Sequence, residues 1–211
     1  MVLVDSLTYL LSRGDEIFVA LGQHLLLVAV ALGIGIAICV PLGVLTSRSQ
    51  GASFVIINSA NALRVVPSLA ILFLAIPYFG LSFTSAAFAL TILALPPILI
   101  NTDAAFRSIP PAIKEAAYGM GMTRGQVLRR VEFPLALAVI IAGIRTATVE
   151  VIASATLAAF IGGGGLGIYI TRGFALFDNK ILLVGAISVA LLALIAEVVI
   201  GEVEKFVRVP S

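Results

Sequence analysis

What this 211-residue chain has little of narrows its function before any motif is read. It has no tryptophan, one cysteine and one histidine. Only 11% of its residues are charged, where soluble domains carry about 25%. The lone cysteine, Cys39, excludes a disulfide framework within the chain and reads as a small packing residue in an apolar run. The lone histidine, His24, cannot build a multi-histidine metal site, and no cysteine or carboxylate cluster joins it. At the outer end of the first apolar run it is expected at the interface. A net charge of +2 leaves no electrostatic footprint for nucleic acid. No histidine or lysine falls inside an apolar run, so no base is at hand for an intramembrane serine nucleophile. The N-terminus has no basic region leading directly into a cleavable apolar core, so no signal peptide is expected and the first span directs insertion.

What is present is hydrophobicity: 61% of residues are apolar and the mean hydropathy is +1.18. Five apolar runs, about 25–45, 54–76, 82–100, 135–156 and 181–200, are long enough to cross a hydrocarbon core of about 30 Å. The expected fold is an all-α polytopic membrane protein, one transmembrane domain over 1–211 with no room for a separate soluble catalytic domain. Residues 1–22, interrupted by Asp5, Arg13, Asp15 and Glu16, read as an extramembrane segment with room for a short interfacial helix. Asn58, Asn61, Arg64 and Pro67 mark 54–76 as a candidate pair of half-helices. Residues 135–161 are too long for one simple span, so the tail is expected to turn back or line a vestibule. Arg107, Lys114, Arg124, Arg129 and Arg130 make 101–132 the most basic loop, and basic loops stay cytoplasmic. Five spans then put the N-terminus outside and the tail carrying Lys205 and Arg208 inside.

The longest polar passage, 108–134, reads as two short helices. Ser108 is a candidate cap for the first, with Pro110 or Pro111 at its first position. Gly119 and Gly121 end it, and Thr123 with Gln126 forms a capping-box pattern for the second. Pro134 closes the passage.

Three charges, Arg64, Arg145 and Glu150, fall within apolar runs, where each costs roughly 2.5–3.5 kcal/mol on insertion scales and seldom faces lipid. Arg145 and Glu150 are offset around a helix, so each is expected to pair with another segment or subunit. They either line a path through the protein or make structural contacts between helices. The run Gly162-Gly163-Gly164-Gly165-Leu166-Gly167 lacks the Gly-Lys-Ser/Thr ending of a phosphate loop. It reads as a closely packed turn near an extracellular gate.

Glu115-Ala116-Ala117, three residues, Gly121, nine residues, then Val131-Glu132-Phe133-Pro134 resembles the EAA motif of bacterial ABC importer permeases, Glu-Ala-Ala, three residues, Gly, nine residues, Ile-x-Leu-Pro. The runs Gly143-Ile144-Arg145-Thr146-Ala147-Thr148 and Thr156-Leu157-Ala158-Ala159-Phe160-Ile161-Gly162 are similar to those of osmoprotectant permeases, the resemblance covering roughly 20–200. Asp103 departs from it, standing where an uncharged residue is more usual.

The resemblance implies a type I importer permease moving glycine betaine, carnitine or choline by alternating access, with no covalent chemistry in this chain. It implies an ATPase subunit that holds ATP and Mg, a substrate-binding protein outside the membrane and a second permease subunit. Pro111–Gly121 becomes the coupling helix, with Glu115 making polar contacts, Ala116 and Ala117 keeping its face slim, and Gly121 permitting the bend. A same-fold permease for another solute such as methionine, or a non-transporting scaffold that binds an ATPase, remains open.

Overall fold

The computed structural model describes residues 6, 8, 9 and 12–207; Asp5 and Arg208 lie outside them. The described residues form helices α1 (Gly14–Thr46), α2 (Gln50–Leu63), α3 (Ser68–Phe79), α4 (Phe83–Arg107), α5 (Pro111–Gly119), α6 (Arg124–Val127), α7 (Phe133–Ala155), α8 (Gly167–Ala175) and α9 (Asn179–Val207). A π-helical turn, Leu128–Glu132, joins α6 to α7, and a 3₁₀ turn, Thr156–Ile161, follows α7. Four helical stretches are long and apolar enough to cross a membrane, and the bent pair α2–α3 makes a fifth if it counts as one span.

α4 is the hub. It lies between α1 and α7 and carries α2 and α3 on its flank, while α9 packs on α7 and α8. Small residues make the close approaches possible. A Cβ on Gly143 of α7 would lie 2.6 Å from Asn101 Cβ and 2.9 Å from the Pro97 carbonyl of α4. The core between these helices is built from Leu27, Leu90, Ala94, Ile98, Ala147 and Val151, all at or below 1% exposure.

Several expectations change. α1 begins at Gly14, so residues expected to lie outside the first span are its first turns. Asp15 and Glu16 suit a helix N-terminus, Glu16 pairs with Arg13 at 2.8 Å, and nothing between Gly14 and Leu25 breaks the helix. The expected break in 54–76 is there: α2 and α3 meet at 94° across Arg64–Pro67. α4 passes through Pro96-Pro97 and ends at Arg107, so 101–107 is helix and not loop. Ser108 does not cap α5. It is the C-cap of α4 and its hydroxyl donates to the Ala105 carbonyl at 2.9 Å. Pro110 and Pro111 hold the N-cap and first positions of α5, where a missing N–H costs nothing. The second short helix is not separate, because it runs on through the π turn into α7. There the Phe133 N–H reaches back five residues to the Leu128 carbonyl. The widened turn sits directly ahead of Pro134, whose ring would otherwise press on the carbonyl four residues back.

Candidate coupling surface and intramembrane charges

α5 is nine residues long, falls in the chain between the end of α4 and the start of α7, and packs against α6 and the π turn. Its C-terminus is a Schellman motif: Gly121 N–H donates to the Tyr118 carbonyl at 2.9 Å and Met122 N–H to the Ala117 carbonyl at 3.2 Å. Gly121 supplies the left-handed residue at φ +83°. The capping box then restarts the helix, with Thr123 N–H donating to Gln126 Oε1 at 2.8 Å and Gln126 N–H to Thr123 Oγ1 at 3.4 Å. Glu115 and Ala116 face outward beside Ile113, Tyr118 and Met120, the last 75% exposed. Ala117 is buried and faces the bundle, so the two alanines of the motif do not share the outward face. Pro134 is exposed at the start of α7, away from α5 in sequence but joined to it through the π turn.

Behind α5 is a cluster that sequence reading missed. Glu132, 1% exposed, accepts from Arg48 Nη1 at 2.8 Å and from Arg48 Nη2, and Lys114 Nζ lies 3.3 Å from its Oε1. The Lys114 ammonium also donates to the Phe106 carbonyl at the end of α4 at 3.4 Å. Hydrogen bonds from Arg48 first, and Lys114 after it, hold the Glu132 carboxyl below the usual carboxylate range. The same pairing raises Arg48. The available signal was a glutamate framed by apolar Val131 and Phe133. A neighbouring cluster accounts for Asp103. Its Oδ2 accepts from Ser53 Oγ at 2.9 Å and from Arg107 Nε at 3.0 Å, while Arg107 Nη2 reaches the Ser49 carbonyl at 2.9 Å. Asp103 thus ties α4 to α2, and the Arg107 it holds ties α4 to the connection before α2.

Four charges fall within the apolar runs, not three: Glu197, within 181–200 on α9, joins Arg64, Arg145 and Glu150. Arg64, at the α2–α3 break, lies 3.4 Å from Glu150 of α7, and both are about half exposed. Arg145 turns the other way, to α9, with Glu197 at 3.3 Å and Glu204 at 2.9 Å, the latter off the hydrogen-bonding direction. Gly201 lies between the two glutamates, and a Cβ there would come within 3.3 Å of the guanidinium. Glu197, Gly201 and Glu204 fall on one helix face at intervals of four and three, a pattern present in the sequence but not read from it.

The glycine turn is a packed junction. Gly162, Gly164 and Gly165 have φ of +75°, +76° and +84°, and a Cβ on Gly163 would meet Ala86 at 2.7 Å. Gly167 opens α8. The turn is held by α1, where Gly165 N–H donates to Gln23 Oε1 at 3.1 Å and Leu166 N–H to His24 Nδ1 at 3.3 Å. His24 Nε2 lies 3.1 Å from the Ile152 carbonyl. His24 is therefore not interfacial but fully buried. Accepting at Nδ1 and donating at Nε2 assigns it the neutral Nε2–H tautomer.

Comparison with known proteins fits this geometry. Residues 29–209 match the family described as binding-protein-dependent transport system inner membrane component. The chain is 43% identical to the carnitine transport permease protein OpuCB of Listeria monocytogenes, covering 93% of this chain and 90% of that one. It is 39% identical to the glycine betaine/carnitine/choline transport system permease protein OpuCB of Bacillus subtilis (strain 168), over 94% and 92%. Among solved structures, the MetNI methionine ABC transporter in an inward-facing conformation superposes with a TM-score of 0.81 at 21% identity, covering 92% of this chain and 96% of that one. That last likeness concerns the fold.

The protein is thus a multi-pass permease of the bacterial cell membrane, with the fold of type I ABC importers. It belongs to the binding-protein-dependent transport system inner membrane component family.

Proposed function

We propose that this chain is the permease subunit of an ATP-driven importer for quaternary-ammonium compatible solutes such as glycine betaine, carnitine and choline. The observation that carries the cargo class is near-full-length identity of 43% and 39% to permeases named for those solutes. In this reading ATP and Mg are bound and ATP hydrolysed on a separate ATPase, a binding protein outside the membrane delivers the solute, and two permease subunits enclose the path. The outward face of α5, with Glu115 and Ala116 at its centre and Ala117 packed beneath, is the ATPase seat. Gly121 sets the angle at which α5 leaves it, and Pro134 marks where the pore helix begins. Closure of the ATPases drags α5 and rocks the helices to which it is joined.

The N-terminus then lies outside and the C-terminus inside. Arg64 and Glu150, half exposed at a broken helix, suit the translocation path, because unwound or broken segments at membrane depth belong where they line a cavity. The Arg145 cluster and the glycine turn from Gly162 to Gly167 suit the scaffold and outer gate around it. The test is uptake of labelled glycine betaine into vesicles holding this chain, its ATPase and its binding protein, with choline, carnitine and methionine as competitors. Uptake that needs ATP, is blocked by quaternary amines and is lost in Glu115→Lys is expected. Competition by methionine alone moves the cargo, and no uptake of any solute despite ATPase capture leaves a scaffold.

A further inference from the structure

The motif residues explain where an ATPase sits but not how its movement reaches the helices. α5 meets the rest of the chain through, among other groups, buried Ala117, the short connections at its two ends, and Lys114. Lys114 is the only side chain of α5 with an ion pair in the structure of the described residues, and its partner is the buried Glu132. Glu132 sits in the π turn that leads into α7. Its other partner, Arg48, follows the end of α1. Lys114 also donates to the Phe106 carbonyl, next to the last residue of α4. The buried carboxylate therefore joins the coupling helix to the ends of α1 and α7, and the Lys114 ammonium it holds adds the end of α4.

We infer that the Arg48–Glu132–Lys114 cluster is the linkage that transmits displacement of α5 to the pore helices, with Glu132 its positioning residue. The inference rests on the importer reading of α5. Glu132 occupies the one open position of Ile-x-Leu-Pro in the motif that the chain resembles, so the motif itself assigns it nothing. The physical reason for a transmitting role is stiffness. Although Arg48 and Lys114 are partly exposed, Glu132 is not, and pulling either cation away leaves a buried carboxylate short of a partner, which is costly, so the three move together. An apolar contact at the same place would slide. Lys114 points into the cluster and not onto the outward face, so its loss spares the ATPase seat.

The experiment compares wild type with Lys114→Met, Lys114→Arg and Glu132→Gln in the assembled complex. ATPase capture, ATP hydrolysis and labelled-solute uptake are measured together, giving ATP hydrolysed per solute moved. The expected result is retained capture and hydrolysis in Lys114→Met, with uptake down at least about tenfold, and recovery in Lys114→Arg; Glu132→Gln behaves as Lys114→Met or worse. Wild-type stoichiometry in Lys114→Met overturns the linkage even if Glu132→Gln fails to fold. Loss of capture in Lys114→Met also overturns it, since the cluster then shapes the seat. Failure of the wild-type complex to take up solute would instead sink the importer reading, so the two failures are distinguishable.

Discussion

At the scale of single residues, the helix contacts are set by groups that tolerate little change. His24 satisfies two backbone groups on different segments, so His24→Ala leaves the Leu166 N–H and the Ile152 carbonyl without their partner. A buried group left unpaired costs about 1–3 kcal/mol, and a clearly lowered unfolding midpoint in detergent is the expected outcome. Gly143→Val forces a side chain against Asn101 and the Pro97 carbonyl, with overpacking costs of about 1–3 kcal/mol. Gly22→Ala, on an open face of α1 with nothing near its Cβ, is the contrasting case. It raises the midpoint, since a glycine replaced without strain in a helix gains about 0.4–1 kcal/mol. Sequence alone could not separate these glycines. Each stands in an apolar helix, and only the opposing helix decides which is open. For the same reason His24 read as interfacial: its place near the end of an apolar run was visible, the glycine turn covering it was not.

At the scale of elements, local chemistry was the legible part. Thr123 with Gln126, Pro111 at a first turn and Gly121 at a helix end act within a few residues, and the structure shows each as read. The cap assigned to Ser108 failed because α4 runs seven residues past its apolar run, sustained by Asp103–Arg107. Gly121→Ala puts a Cβ at φ +83°, costing about 1–2 kcal/mol. The expected result is weaker capture of the ATPase with the transmembrane helices still folded, read by pull-down beside circular dichroism. The cluster at Glu132 adds a pH dependence. The folded carboxyl lies below its ordinary value of 4.5, so its stabilisation is complete above that value and is lost as pH falls through the lower folded one. Glu132→Gln removes this acid-side loss, which a comparison of unfolding midpoints from pH 7 down to about 3 would reveal.

At the scale of the whole molecule, the number of apolar segments and the break in the second were readable because hydropathy acts along the chain. Pairing was not. Arg145 could be seen to need a partner, but Glu197 and Glu204 are more than fifty residues away and only the packing of α9 on α7 brings them in. The proposed orientation rests on the basic residues near α5. It can be checked in a Cys39→Ala background by placing single cysteines at Arg124 and at Phe177, the latter 91% exposed between α8 and α9. A membrane-impermeant thiol reagent is expected to label position 177 in right-side-out vesicles and position 124 only in inverted ones. The opposite pattern would invert the topology.

The π turn at Leu128–Glu132 has a consequence for chain length. A turn closed by a bond to the fifth residue back holds about one amino acid more than an α-helix would over the same rise. It is a slot for a surplus residue. Deleting Arg129 would let the turn tighten to ordinary helix with α6 and α7 still nearly coaxial, although Glu132 would lose its aim at Arg48. The same deletion in the middle of α7 would rotate everything beyond it by about 100° and take Glu150 away from Arg64. Length variation of one residue in this fold should therefore collect at 128–132 and be absent from the helix that follows.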